Sequence, residues 1–107
     1  MPTFDQVAQW LRTNYPEWLH VEDRISDVGF AFLLNTQPDA YLDGDKSAMT
    51  FGNGPGYVLK RTGAAWFLPS TPDVLAVYDA RTERAFRKRM RKAGMKVDKP
   101  HFVIPQS

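Results

Sequence analysis

The sequence predicts an α+β fold built on a mainly antiparallel sheet, and three observations carry that expectation. Helix signals stand at both ends of the chain, β-prone runs cluster between them, and the strand–helix–strand alternation of a parallel sheet is missing. The predicted order is an N-terminal helix, a sheet with a central hairpin, and a basic C-terminal helix. The length of 107 residues fits one domain, 1–107, with one core, and leaves no room for a second core of useful size.

Thr3-Phe4-Asp5-Gln6 has the form of a capping box, in which hydroxyl and amide side chains satisfy the first free N–H groups of a helix. Phe4, Val7, Trp10 and Leu11 follow at helical spacing and Pro16 stops the pattern, so the first helix is expected over roughly Thr3 to Asn14. Trp18 to Val28 reads as extended. Phe30 to Leu34 is a short apolar run closed by turn residues and reads as a buried central strand. Asp39 to Lys46 is a polar excursion, and Gly52-Asn53-Gly54-Pro55-Gly56 is a tight turn.

Tyr57 to Lys60 and Ala65 to Leu68 flank Arg61-Thr62-Gly63, which is the hairpin signal of the chain. Thr71-Pro72-Asp73 starts a helix: a hydroxyl to cap, a proline where no N–H is needed, an acid at the positive end of the dipole. Leu75, Tyr78, Thr82, Phe86, Met90 and Ala93 form a stripe, as one long helix or as two broken near residues 79–81, and Gly94 suits the end. Val97 to Ile104 can add a final short strand.

Charge is unevenly placed. The chain has 14 basic and 12 acidic residues, for a formal charge of +2. Residues 81–99 hold nine basic and two acidic residues, which is +7; residues 1–80 hold five and ten, which is −5. On a helix, Arg81, Arg84, Lys88 and Arg91 share one side, away from Phe86 and Met90. Such a face can neutralise phosphates, can dock an acidic protein, can lie on an anionic membrane, for which its apolar side is modest and carries no Trp, or can simply keep a helix solvated.

Chemistry in the usual catalytic patterns is not spelled out. With no cysteine, disulfides, thiol nucleophiles and Cys-based zinc sites are excluded. The four serines lie outside any nucleophile elbow, and an enzyme would need a cleft in which His20 or His101 meets a carboxylate. Asp39, Asp43 and Asp45 cluster near a glycine, but the spacing is not that of an EF-hand loop, so a solvated turn rather than a metal site is expected. The glycine-rich turn lacks the Gly-Lys-Ser/Thr ending of a phosphate loop and leads into a strand. No cofactor, metal or catalytic residue is expected. No run approaches the ~18 apolar residues of a membrane span, and the first residues lack a secretory pattern. A cytoplasmic binding protein, not an enzyme, is therefore the expectation.

The segment Gly52 to Leu68 resembles the immunity protein 35 family of bacterial polymorphic toxin systems. The likeness lies in the Gly52-Asn53-Gly54-Pro55 turn, the following strand, the Lys60-to-Gly63 turn and the Trp66-Phe67-Leu68 ending. Phe30 to Leu34, the Tyr41-to-Asp45 loop and the helix ending at Asn14-Tyr15-Pro16 extend it over roughly residues 4–79. Gly56 departs from the family's large apolar residue, and the basic stretch from Arg81 is not a family feature. The resemblance implies a small α+β protein that binds and neutralises a cognate toxin by stoichiometric blockade, the toxins including papain-like peptidases or deamidases among other enzymatic domains. It carries no catalytic residues. Tyr and Arg are frequent anchors of tight interfaces, so the expected partner contacts are Tyr41, Asp43 and Asp45 on the acidic loop with Arg81, Arg84, Lys88 and Arg91 on the basic helix. A nucleic-acid-binding module using that helix is the alternative.

Overall fold

The computed structural model describes residues 2–37, 39–44, 54–69 and 71–105. Helix α1 spans Phe4–Asn14 and opens with a formed capping box. The Gln6 N–H donates to the Thr3 hydroxyl at 3.2 Å, and the Thr3 N–H donates to the Gln6 side chain at 2.8 Å. Val7, Ala8 and Leu11 form its buried face.

The chain does not then run extended as its residues suggest. His20 takes a left-handed conformation (φ 54°), turning the backbone into a 3₁₀ helix at Val21–Arg24. Strand β1 begins only at Ile25 and ends at Asp27. Strand β2 is Ala31–Leu34, and the polar excursion after it contains one helical turn, α2, at Asp39–Leu42. Strands β3 (Gly56–Leu59) and β4 (Ala64–Phe67) form a hairpin, and β5 is the pair Phe102–Val103.

The five strands lie in the order β1-β2-β3-β4-β5, every neighbour antiparallel. The middle place belongs to β3, buried along its whole length, rather than to β2, which sits one place from the edge.

Side chains of a strand point alternately to opposite faces, and here both faces are covered. Tyr57, Leu59, Ala64, Trp66 and Leu68 enter one core with Val74, Val77, Phe86 and Met90. Val58, Ala65, Phe32 and Leu34 enter another with Val7, Leu11, Val21 and Ile104. Two thin cores on one sheet therefore replace the single core expected from length. The first lies beneath helix α3 (Glu83–Lys92), the second beneath α1.

The segment leading into α3 corrects a second expectation. Pro72–Asp79 is a 3₁₀ helix, and Thr71 makes no side-chain capping bond. With three residues per turn, positions three apart eclipse one another. Val74, Val77 and Ala80 are accordingly buried, while Leu75 is 62% exposed. The α-helical stripe through Leu75 applies the wrong period to this stretch. In α3 the longer period holds: Phe86 and Met90 are buried, and Thr82 caps by accepting from the Ala85 N–H.

Two glycines fix the hairpin. Gly63 sits at φ +77°, and a Cβ there would lie 2.3 Å from the Ile104 carbonyl oxygen. Gly56 stands opposite Phe67, whose ring would meet an added Cβ at 3.0 Å, so the aromatic fills the space that a large residue at 56 would take.

Gly63→Ala will therefore unfold at lower urea, losing about 2 kcal/mol or more from combined strain and clash. Gly29→Ala has positive φ (+98°) but open space around the added atom, and will lose less. Equal losses in the two urea titrations would contradict the close approach of β5 to the hairpin.

Candidate functional site

The structure sorts the basic residues of the C-terminal stretch into two groups. Arg87 is structural: it donates to Glu83 at 3.1 Å and to the Val97 carbonyl at 3.3 Å, and its guanidinium lies 5.7 Å from the Trp66 ring. Arg89 is tied to the Ala76 carbonyl at 2.9 Å, joining α3 to the 3₁₀ helix beside it. Glu83 also receives Arg61 from the hairpin turn, at 2.7 Å. These two guanidinium groups, Arg61 first, hold its carboxyl below the usual carboxylate range against the opposing effect of burial.

Arg84, Lys88 and Arg91 belong to the other group. They are exposed along α3, and among the described residues no carboxylate pairs with them. Their spacing of four and three residues makes one row about 10 Å long at 1.5 Å per residue. Phe86 and Met90, buried on the opposite side, hold the helix against the sheet.

Arg81 precedes the helix and is also exposed. It lies at a groove of about 780 Å³ lined by Leu33, Tyr57, Tyr78 and Asp27 among others. Burial pushes the Tyr57 hydroxyl up to about 12, and burial raises Tyr78 as well, so both remain protonated at neutral pH.

The acidic loop is anchored to a different layer. Its first acid, Asp39, accepts from Arg24 at 2.7 Å and from the Leu19 N–H at 3.1 Å, both on the α1 side of the sheet. Asp43 follows α2 and is exposed. Tyr41 takes its place in the backbone of α2, and Asp45 lies outside the described residues. No hydrogen bond or ion pair among the described residues joins Asp43 to α3.

Arg24 itself was not apparent as an internal residue from sequence. It is 1% exposed, stacks 4.2 Å from the Trp18 ring, and donates to the carbonyls of Asn35 at 3.0 Å and Gln37 at 2.5 Å. The Arg24 hydrogen bond is the main cause that holds the Asp39 carboxyl below its ordinary value; the Leu19 N–H adds to it. The cluster is structural, since its charge is answered from within.

Both histidines are exposed. His101 accepts the Phe67 N–H on Nδ1 at 2.8 Å, which extends the pairing of β4 with the chain entering β5. Among the described residues, no three His, Cys, Asp or Glu side chains gather to hold a metal ion. No helix there is long and apolar enough to cross a membrane. No family model, curated protein or solved structure matches the chain.

Two outcomes follow from these contacts. Truncating Arg24 to Ala removes a buried cation from its carboxylate and carbonyl partners, and urea titration will show a loss of about 3 kcal/mol. The second concerns acid. A carboxyl whose folded pKa is depressed lends stability above its unfolded pKa, and loses it as pH falls through the folded pKa. Thermal melts of the native chain will thus drop as pH falls below the ordinary aspartate value of 3.8. Asp39→Asn will start lower and depend less steeply on acid.

Proposed function

We propose that the chain is an immunity-type binding protein, of the kind the immunity protein 35 resemblance implies. It acts in the cytoplasm, covering the active site of a cognate bacterial toxin enzyme or holding it in an inactive shape. One observation carries the reading: Arg84, Lys88 and Arg91 form an outward row on a helix fixed by its buried side, with no carboxylate answering them among the described residues.

A row of this kind suits an acidic protein partner. Held on a packed helix, the backbone of the three residues is already ordered, so docking costs less conformational entropy. Arg guanidinium groups form bidentate, charge-assisted bonds with carboxylates. The positive field speeds encounter with a negative surface. In this arrangement an N-terminal helix and a central hairpin make the frame, and the basic C-terminal helix makes the docking edge, with Arg81 beside its groove. Tyr41, Asp43 and Asp45 make a separate, acidic contact. The toxin would be a papain-like peptidase, a deamidase or another enzymatic domain, met in one-to-one blockade.

The same row would also attract phosphates, and this favours nucleic-acid binding as the second reading. The two separate cleanly. A toxin-like protein encoded beside this chain is expected to bind with sub-micromolar affinity and to be harmless when the two are co-expressed. Arg84→Glu with Lys88→Glu and Arg91→Glu will weaken that binding about a hundredfold or more, mostly through slower association. These are exposed positions, so thermal stability will shift little. A neighbour that is harmless alone, or a variant that binds as well as the native chain, would sink the proposal. Titration with single-stranded and duplex oligonucleotides at low and moderate salt tests the alternative. Tight, steeply salt-dependent binding there would put nucleic acid in the toxin's place.

A further inference from the structure

A second groove, distinct from the α3 row, lies where β4 ends and the chain returns from α3 toward β5. It measures about 750 Å³ and is lined by Phe67, Leu68, Pro69 and Met95, with Lys96, Lys99 and His101 around them. Its floor is apolar and partly open: Met95 is half-buried and Pro69 is exposed, while the Phe67 ring lies on the opposite face of the sheet, over Gly56 and beside Phe102.

The rim is built from hydrogen-bond donors. Lys96 and Lys99 are exposed and have no carboxylate partner among the described residues. Asp98 stands between them in sequence but does not line the groove. His101 uses Nδ1 to accept the Phe67 N–H at 2.8 Å, so its neutral ring carries its proton on Nε2, a further donor. The Lys96 carbonyl accepts the Trp66 indole N–H at 3.2 Å and the Lys99 N–H at 3.3 Å.

The loop carrying this rim is held at several points. Gly94 turns it at φ +86°, the Met95 N–H donates to the Met90 carbonyl at 2.9 Å, and Arg87 donates to the Val97 carbonyl. With the Trp66 bond, these contacts set the rim before any partner arrives.

We propose that this groove docks an acidic segment of a partner protein, seating a bulky aliphatic side chain on the Met95–Pro69 floor between carboxylates that meet Lys96 and Lys99. Charge complementarity selects the carboxylates: cationic and N–H donors surround the floor. The floor itself selects the aliphatic anchor over a nucleic-acid base. Trp66 is 1% exposed. The Phe67 ring lies across the sheet, over Gly56 and 5.4 Å from Phe102, so the groove offers no free Phe, Tyr or Trp face for stacking. The proposal is independent of whether that partner is a toxin and of the Arg84–Arg91 row.

The test is fluorescence anisotropy on the full chain at low salt. The probe is a fluorescein-labelled peptide with a leucine pair between aspartate pairs. The expected result is saturable binding, weakened about tenfold or more when asparagines replace the aspartates or glycines replace the leucines, each tenfold marking one lost contact class. Lys96→Glu with Lys99→Glu will weaken it by a similar factor. Arg84→Glu with Lys88→Glu will change it less than about twofold, because those charges lie beyond the groove and are screened. Circular dichroism melts will confirm that both variants fold; if the first pair does not, Lys96→Ala with Lys99→Ala takes its place. The proposal is overturned by absence of saturable binding, by equal binding of the glycine peptide, or by loss in the Arg84/Lys88 variant alone. Tighter binding of a labelled oligothymidylate that Lys96→Glu with Lys99→Glu abolishes would overturn it in favour of nucleic acid.

Discussion

Everything in this fold depends on a sheet that must be covered on both faces. A strand buried on both sides cannot follow the apolar-in, polar-out alternation of a surface sheet, and β3 does not: Gly56, Tyr57, Val58 and Leu59 are all buried. Adjacent residues serve different cores, Tyr57 and Leu59 one, Val58 the other. A chain of this length has few residues per core, and large aromatics compensate because each buries a large area. Phe86 illustrates the economy, meeting Tyr57 at 4.8 Å, Phe30 at 5.5 Å and Trp66 at 5.9 Å between ring centres. On the other face Trp10 stacks on Phe102 at 3.9 Å, fastening α1 to the edge strand. The helices are therefore not decoration on a stable sheet; each supplies half of what buries it.

That arrangement dictates which charges are free. Arg24, Arg61, Arg87 and Arg89 tie separate elements together, from 3₁₀ helix to loop, hairpin turn to helix, helix to the loop that follows it, and helix to 3₁₀ segment. Their guanidinium groups span gaps that short backbone hydrogen bonds cannot reach. What remains on the outside of α3 is the row that faces away from the core. The division between structural and available cations is thus a consequence of packing, and residue type alone does not reveal it.

Local signals were legible and distant ones were not. The Thr3–Gln6 box and the Gly63 turn need only neighbours in sequence, and both are formed. The Arg84, Lys88 and Arg91 row needed only helical spacing. The pairing of Glu83 with Arg87 is also written at that spacing, but the second partner, Arg61, is brought in by the fold. Arg24 reads as a surface residue until Asp39 and two carbonyls close around it. The 3₁₀ period of Pro72–Asp79 was hidden because an apolar residue at 75 suits an α-helical stripe as readily as Val74 and Val77 suit a three-residue one. The groove at Leu68 and Lys96 joins residues far apart in sequence, brought together by the Trp66-to-Lys96 and Phe67-to-His101 bonds.

The sheet also separates an excess of each sign of charge. On the α1 side the exposed acids Asp5, Glu17, Glu22 and Asp23 outnumber Arg12; on the α3 side the exposed bases Arg81, Arg84, Lys88, Arg91, Lys92, Lys96 and Lys99 outnumber Asp73, Asp79 and Asp98. Even along its thinnest direction the fold extends 21 Å. The screening length at physiological ionic strength is only ~8 Å. A molecule approaching one face consequently feels that face and scarcely the other. The formal charge of +2 describes how the protein migrates as a whole, but no partner at contact range ever encounters it: the chain presents itself as a strong base from one direction and an acid from the other.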